Sequence, residues 1–308
     1  MDDSVHSQED LVHLCHTLRY WGVTELPHSI ISAAFDDLAL SFDDAVTMFA
    51  TELTFLKDIR KVLKLPIHLR MRSSISIGSL QLVEFLHKQQ GCNVSSKELC
   101  TSWAARAGHL HILEYLHDAM YPWDKYTTQV AAEKGHLNCL QYAHEHGCPW
   151  DEVTTMSAAQ SGNLNCLQYA HEHGCLTNYY AIRRAAEYGH LDCLKYTLKY
   201  GDSLDKYTTI CAAGNGHLNC LQYAHEYGCP WDEETTQRAA ENGHLNCLQY
   251  SHEHGCLWHE DTTMWAARNN HLSCLEYAHE NGCPWHEDTS MWAARNGHLS
   301  CLEYAHEH

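Results

Sequence analysis

Between Trp150 and Cys175 the apolar and polar positions describe two short helices. Asp151 is an N-cap residue, and Glu-Val-Thr-Thr-Met-Ser-Ala-Ala-Gln follows it with an acidic first turn. Ala158 and Ala159 are small enough to let two helices approach closely. Ser161-Gly162-Asn163 breaks this helix. A second is predicted from about Leu164 to His173, with Leu164, Leu167, Tyr169 and Ala170 at helical spacing. Gly174 then stands where a left-handed residue ends a helix. The expected unit is a pair of antiparallel helices joined by tight turns.

That unit recurs. Gly108, Gly135, Gly162, Gly189, Gly216, Gly243, Asn270 and Gly297 fall 27 residues apart, each opening a near-copy of the phrase that runs from Gly135 to Trp150. Such a period marks a repeat array, in which each unit buries its apolar face against its neighbours. The predicted fold class is all-α: a helical solenoid of stacked two-helix repeats with an N-terminal helical cap. The array takes residues 76–308, as one degenerate opening repeat and eight 27-residue repeats, the last incomplete. The opening copy, Gly78-Ser79-Leu80, carries Leu82, Phe85, Leu86 and His87 where later units have Cys, Tyr, Ala and His. Residues 1–75 show no period. Their predicted helices, His6 to Trp21, Ser29 to Leu40 and Asp43 to Leu63, form the cap.

Thr-Thr-Gln-Arg-Ala-Ala-Glu-Asn-Gly-His-Leu-Asn-Cys-Leu-Gln-Tyr-Ser-His-Glu-His-Gly, from Thr235 to Gly255, resembles the helical half of an ankyrin repeat. The fuller phrase Gly-His-Leu-x-Cys-Leu-x-Tyr-Ala-His-Glu-x-Gly-Cys-Pro-Trp is similar to the short ankyrin-like repeats abundant in large DNA viruses of protists and in some protist genomes. The resemblance covers about residues 78–308. It implies a non-enzymatic scaffold in the cytoplasm, that of a host if the chain is viral, binding a partner protein along the repeat surface. The common ankyrin unit has about 33 residues. The shorter unit here implies that the projecting finger is reduced to the Cys-Pro-Trp-Asp connection. Trp123, Trp150, Trp231, Trp258 and Trp285 precede helix starts, where an apolar residue staples the incoming chain to the first turns. In the cap region, Leu26-Pro27-His28-Ser29-Ile30-Ile31, followed by Phe35 and Leu38, resembles the start of an F-box. That resemblance implies a second reading, a substrate receptor of a cullin-type ubiquitin ligase using residues 24–60 as the adaptor hook. The other reading of the segment is an ordinary capping helix.

Charge narrows the partners. The chain has 39 acidic and 20 basic residues, a formal charge of −19, which disfavours nucleic acid as a ligand. Its 27 histidines make the surface field sensitive to pH near 6. No apolar stretch approaches the length of a membrane span, and the acidic first residues are unlike a secretory signal.

Sixteen cysteines suggest a disulfide scaffold or metal sites. Seven recur at one repeat position (Cys139 to Cys301) and five at another (Cys148, Cys175, Cys229, Cys256 and Cys283). Equivalent positions of stacked helices lie about 10 Å apart, beyond disulfide reach, so reduced thiols are expected. His144 with Cys148, and the pairs His171/Cys175, His225/Cys229, His252/Cys256 and His279/Cys283, offer zinc chemistry, a third reading. Two ligands are not a structural site, however, and the alternative has the histidine bonded to backbone at the helix end and the cysteine buried as a small apolar group. No cofactor and no catalytic residue is predicted: the histidines and cysteines are copied down the array, and no phosphate loop, His-Glu-x-x-His or Gly-x-Ser-x-Gly occurs.

Comparison between repeats separates fixed positions from free ones. Variation gathers at the end of the first helix, at its start, and at the penultimate residue of the second helix. The ankyrin resemblance places these positions on the binding face. The candidate protein-binding surface is therefore Glu133, Lys134, Gln160, Ser161, Tyr179, Tyr180, Arg183, Arg184, Glu187, Tyr188, Tyr200, Tyr207, Asn215, Tyr227, Asn242, Arg268 and Arg295, against the alternative of drift on a solvated face. Its expected centre is the repeat from Asn178 to Asp202, where Asn-Tyr-Tyr-Ala-Ile-Arg-Arg replaces the acidic start with hot-spot residue types. At the far end, residues 298–307 repeat residues 271–280 letter for letter, with no polar rewriting. Either later repeats have been lost, or this end self-associates end to end with another molecule.

Overall fold

The computed structural model describes residues 67–90, 97–201 and 204–308. The segments predicted to form helices from His6 to Leu63, and the F-box-like residues 24–60, lie outside them. The chain divides into two compact units, Met1–Cys100 and Thr101–His308. Every regular element among the described residues is an α-helix.

In the first unit α1 (Ile67–Ile77) and α2 (Leu80–Gln90) pack as a pair around Gly78, which has φ 83°. Helix α3 (Lys97–Ala107) leads into the second unit, whose pairs follow in strict order. They are α4 (Leu110–Asp118), α5 (Lys125–Lys134), α6 (Leu137–Glu145), α7 (Glu152–Gln160), α8 (Leu164–Glu172), α9 (Tyr179–Glu187), α10 (Leu191–Tyr200), α11 (Lys206–Gly214), α12 (Leu218–Tyr227), α13 (Glu233–Glu241), α14 (Leu245–Glu253), α15 (Thr262–Arg268), α16 (Leu272–Glu280), α17 (Thr289–Asn296) and α18 (Leu299–Glu307). From α5 onward, odd-numbered helices pack on one another in one layer and even-numbered helices form the second.

Helices α5, α7, α9, α11 and α13 start at the capping residue their sequence offers. Asp151 Oδ1 accepts from the Val153 N–H at 3.1 Å, and Asp124, Asn178, Asp205 and Asp232 cap their helices in the same way. In α15 and α17 a histidine replaces the capping aspartate. His259 Nδ1 accepts from Asp261 N–H, and His286 Nδ1 from Asp288 N–H, both at 3.1 Å. Those helices begin just after these turns, at Thr262 and Thr289.

The glycine spacing has two causes. Gly216 has φ 75°, which an L side chain rarely adopts. It also lies under the next repeat: a Cβ there would sit 2.5 Å from His244 Nδ1. Gly108, Gly162, Gly189 and Gly243 meet His136, His190, His217 and His271 in the same way, and Gly135 meets Asn163. Asn270, which breaks the glycine row, keeps φ 65° and belongs to the residue type that best tolerates it.

The interior alternates leucine, cysteine and small residues. Leu140, Leu167, Leu194, Leu221, Leu248 and Leu275 are fully buried, as are the paired alanines of the odd-numbered helices from α7 to α15. Threonine hydroxyls join repeats by donating to the loop carbonyls ahead, Thr155 to Leu176 O at 2.7 Å and Thr236 to Leu257 O at 2.8 Å. Thiols tie the same loops backward: Cys175 Sγ donates to Asp151 O and Cys256 Sγ to Asp232 O, each at 3.0 Å. The connection Cys148–Asp151 contains no strand.

Candidate functional site

The repeat pairs have two edges. At one, the end of an even helix passes through the Gly-Cys-Pro-Trp loop into the start of the next odd helix. At the other, an odd helix turns at the glycine into an even helix. The candidate surface divides between them. Tyr179, Tyr180, Tyr200, Tyr207 and Tyr227 are exposed at the loop edge. Glu133, Lys134, Gln160, Ser161, Glu187, Tyr188, Asn215, Asn242, Arg268 and Arg295 lie at the glycine edge. The edges are about 13 Å apart along a helix of this length, so the candidates line two borders of the repeat surface.

Only in α9 does a candidate stripe join both edges. Tyr180, Arg184 and Tyr188 follow one another at i, i+4 spacing on one helix face, with both tyrosines 45% exposed. Arg183 is held in place. Its guanidinium pairs with Asp205 at 2.7 Å and lies over the Tyr207 and Tyr179 rings at 4.3 and 4.7 Å from their centroids. Arg184 bonds Glu187 at 2.7 Å. At the glycine edge, Asn242 Nδ2 donates to Gly214 O at 2.7 Å and Asn269 Nδ2 to Glu241 O at 2.7 Å. Part of the variation there thus serves repeat-to-repeat bonding. Arg268 lies between the rings of Trp265 and Trp292, 4.6 and 4.4 Å from their centroids.

The loop edge carries a ladder that the sequence reading did not find. His144 Nδ1 meets the Tyr169 hydroxyl of the next repeat at 2.9 Å, while its ring stacks on Trp150 with centroids 3.9 Å apart. Tyr169 in turn lies against His173 at 4.1 Å. The His–Tyr bond recurs at His117/Tyr142, His171/Tyr196, His225/Tyr250, His252/Tyr277 and His279/Tyr304. The histidine thus bonds a neighbouring tyrosine rather than the backbone of its own helix end. The rings of Trp123, Trp150, Trp231 and Trp258 stack on histidines of the preceding helix, and Trp285 meets His279 edge-on. The constant offset between His and Tyr was visible in the sequence, but nothing in one dimension joins them. The ladder is interrupted once: Leu198 is buried where other repeats have His, and Tyr223 meets the Lys195 ammonium 5.7 Å from its ring centroid instead.

Burial sets the chemistry of these groups. It lowers the pKa of His144 and His225, with His173 and His254 adding charge repulsion. Burial likewise lowers His244, between His217 and His271, and His271, beside His298. Backbone carbonyls at Gly214 and Glu241 oppose the shift at His244 and His271, and Glu145 and Glu226 oppose it at His144 and His225. A histidine whose folded pKa is depressed takes up its proton more readily in the unfolded chain. Its contribution is complete above the unfolded value of 6.5 and is lost as pH falls through it. The melting temperature is therefore expected to fall between pH 7.5 and 5.5, in high salt that screens the surface charge. Equal or higher melting temperatures at pH 5.5 would contradict this.

The cysteines are held as thiols. Burial pushes Cys148 and Cys256 up to about 12 and Cys175 to about 11. With Cys148 Sγ donating to Asp124 O at 3.2 Å and His144 Nδ1 on Tyr169, the two groups of the proposed zinc pair are directed to different partners. Among the described residues no group of three or more metal-type side chains converges, and no helix is long and apolar enough to cross a membrane.

No family model matches the sequence, and no curated protein matches it. Among solved structures, the human ASB11 ankyrin repeat domain is similar over 52% of this chain and 84% of that chain, with 17% sequence identity and a TM-score of 0.45.

Proposed function

We propose that the repeat array is a non-enzymatic scaffold that binds a partner protein across the middle of the stack. One observation carries this reading. The exposed Tyr180 and Tyr188, with the partly exposed Arg184 between them, form a stripe joining both edges of a repeat, in an array whose buried positions hardly vary. Tyrosine and arginine are the residue types that concentrate binding energy, and Tyr179, Arg183 and Tyr207 are already ordered beside them by ring and ion-pair contacts. The ankyrin-like phrase of the repeat supports the same function. The binding groups would be those of α9, with the glycine-edge residues Glu187 and Asn215 and the loop-edge residues Tyr200 and Tyr227 as rim.

The test is affinity capture from the native host with the wild-type chain and with Tyr180→Ala/Arg184→Ala/Tyr188→Ala. The expected result is a protein retained by the wild type and weakened at least about thirtyfold by the triple variant, for two or three hot-spot truncations of ~1–2 kcal/mol each. The melting temperature should change little, because the two tyrosines are half-exposed. Unchanged capture by a folded triple variant would refute this binding site.

A further inference from the structure

The loop edge of the repeats that open at Gly216, Gly243 and Asn270 carries an apolar ridge with acidic banks. Each loop puts one exposed residue at its tip: Pro230, the 71% exposed Leu257, and Pro284. The tip carbonyls of Leu257 and Pro284 accept from threonine hydroxyls of the preceding repeat, which fixes their height. A half-buried tryptophan follows each tip. On one bank stands the last glutamate of each even helix, Glu226, Glu253 and Glu280, exposed once per repeat. On the other stands an exposed glutamate shortly after each tryptophan, Glu233, Glu260 and Glu287. Among the described residues no lysine or arginine nitrogen lies within ion-pair distance of Glu226, Glu253 or Glu280. From Glu226 to Asp288 the chain has twelve acidic and two basic residues. One of these, Arg238, is paired with Glu234 and Glu241, and the other, Arg268, lies between two indole rings.

We infer that this ridge docks a cationic amphipathic helix of a partner protein, rich in Lys and Arg. Two arguments fix the occupant. The acidic banks match positive charge, which accelerates encounter and sets register, while apolar tips and indoles take the aliphatic stems and cationic heads of Lys and Arg. Stacked helices repeat about every 10 Å, and a helix advances about 10.5 Å per heptad. One apolar residue per heptad therefore meets one tip per repeat. This surface rests on the scaffold reading but shares no residue with the Tyr180–Tyr188 stripe.

The probes are synthetic helices of about 21 residues, spanning three heptads. The first has Leu at the heptad position and Lys on its flanks, the second Leu and Glu, the third Ser and Lys. Binding to the full chain is read by anisotropy of the labelled peptide. The Leu/Lys peptide should bind, and the other two should not. Glu226→Gln/Glu253→Gln/Glu280→Gln should weaken binding about tenfold, and Leu257→Ser about threefold. Glu241→Gln/Glu276→Gln/Glu303→Gln removes the same charge from other positions and should change binding less than about twofold. No binding of the Leu/Lys peptide overturns the ridge. So does equal weakening by both glutamine triples, which is non-specific attraction, or equal binding of the Ser/Lys peptide. None of these outcomes touches the α9 stripe, whose variant leaves the ridge intact.

Discussion

Gly216→Ala is expected to destabilise the chain by about 2–5 kcal/mol, although it adds one methyl group at a turn. About 1–2 kcal/mol comes from holding a non-glycine residue in the left-handed region. The rest comes from contact. The new Cβ would lie 2.5 Å from His244 Nδ1 and 2.8 Å from Cε1, so the half-buried imidazole must move, at about 1–3 kcal/mol. Gly228→Ala separates the two terms. Gly228 has φ 97° and nothing within 4 Å of its added Cβ, so only the backbone cost of about 1–2 kcal/mol is expected. Urea unfolding of both variants, with His244→Ala as a third arm, measures the difference. Equal losses at Gly216 and Gly228 would show that the histidine yields freely. If the contact matters, Gly216→Ala should be less damaging when His244 is already Ala, a coupling a double-mutant cycle isolates.

The same pair explains how much was legible beforehand. Helix limits, caps and turns could be read because each is decided by its immediate neighbours: Asp151 caps, Gly162 breaks, Gly174 ends. Periodicity extended that local reading down the array: of the two leucines that recur in each even-numbered helix, the second is fully buried from Leu140 to Leu275. Contacts between repeats were not legible. Gly216 read as a turn glycine, but its second constraint comes from a histidine of the following repeat. His144 and Cys148 read as a pair because they are close in sequence. The fold directs one to Tyr169 and the other to Asp124, because side chains at a helix end and in the following loop face different neighbours. The candidate surface was read on the same flat plan. It joined residues from both ends of the odd helices, and only the α9 stripe connects the two. Asn242 shows why variation is an ambiguous guide, since its amide bonds the preceding repeat.

The interruption at Leu198 falls in the repeat that also carries the Tyr/Arg stripe. That repeat has Ile182 in place of the threonine and Thr177 in place of the tryptophan. It therefore lacks two of the regular ties to the next repeat, the His–Tyr bond and the threonine–carbonyl bond. Arg183 supplies a substitute, bridging α9 to Asp205 and Tyr207 of the following repeat. The stripe and the altered joint belong to one change in the pattern, in which ordinary stacking chemistry gives way to aromatic and basic side chains.

Leu275→Ala and Leu302→Ala compare one substitution in one local sequence with two surroundings. Residues 271–280 and 298–307 are identical, and both leucines occupy the fourth position of their helices, α16 and α18. Leu275 is fully buried, in a helix on which α18 packs, whereas Leu302 is partly exposed. Removing the Leu275 side chain leaves a cavity between repeats, with an expected cost of about 2–5 kcal/mol. At Leu302 solvent already reaches the side chain and the site can relax, so roughly 1 kcal/mol is expected. Propensity and local helix contacts are the same in both, so they cancel in the difference. What remains measures stacking alone, the term that holds a repeat array together. Denaturant midpoints of the two variants give it directly, and equal losses would place the stability of these repeats within each helix pair rather than between neighbours.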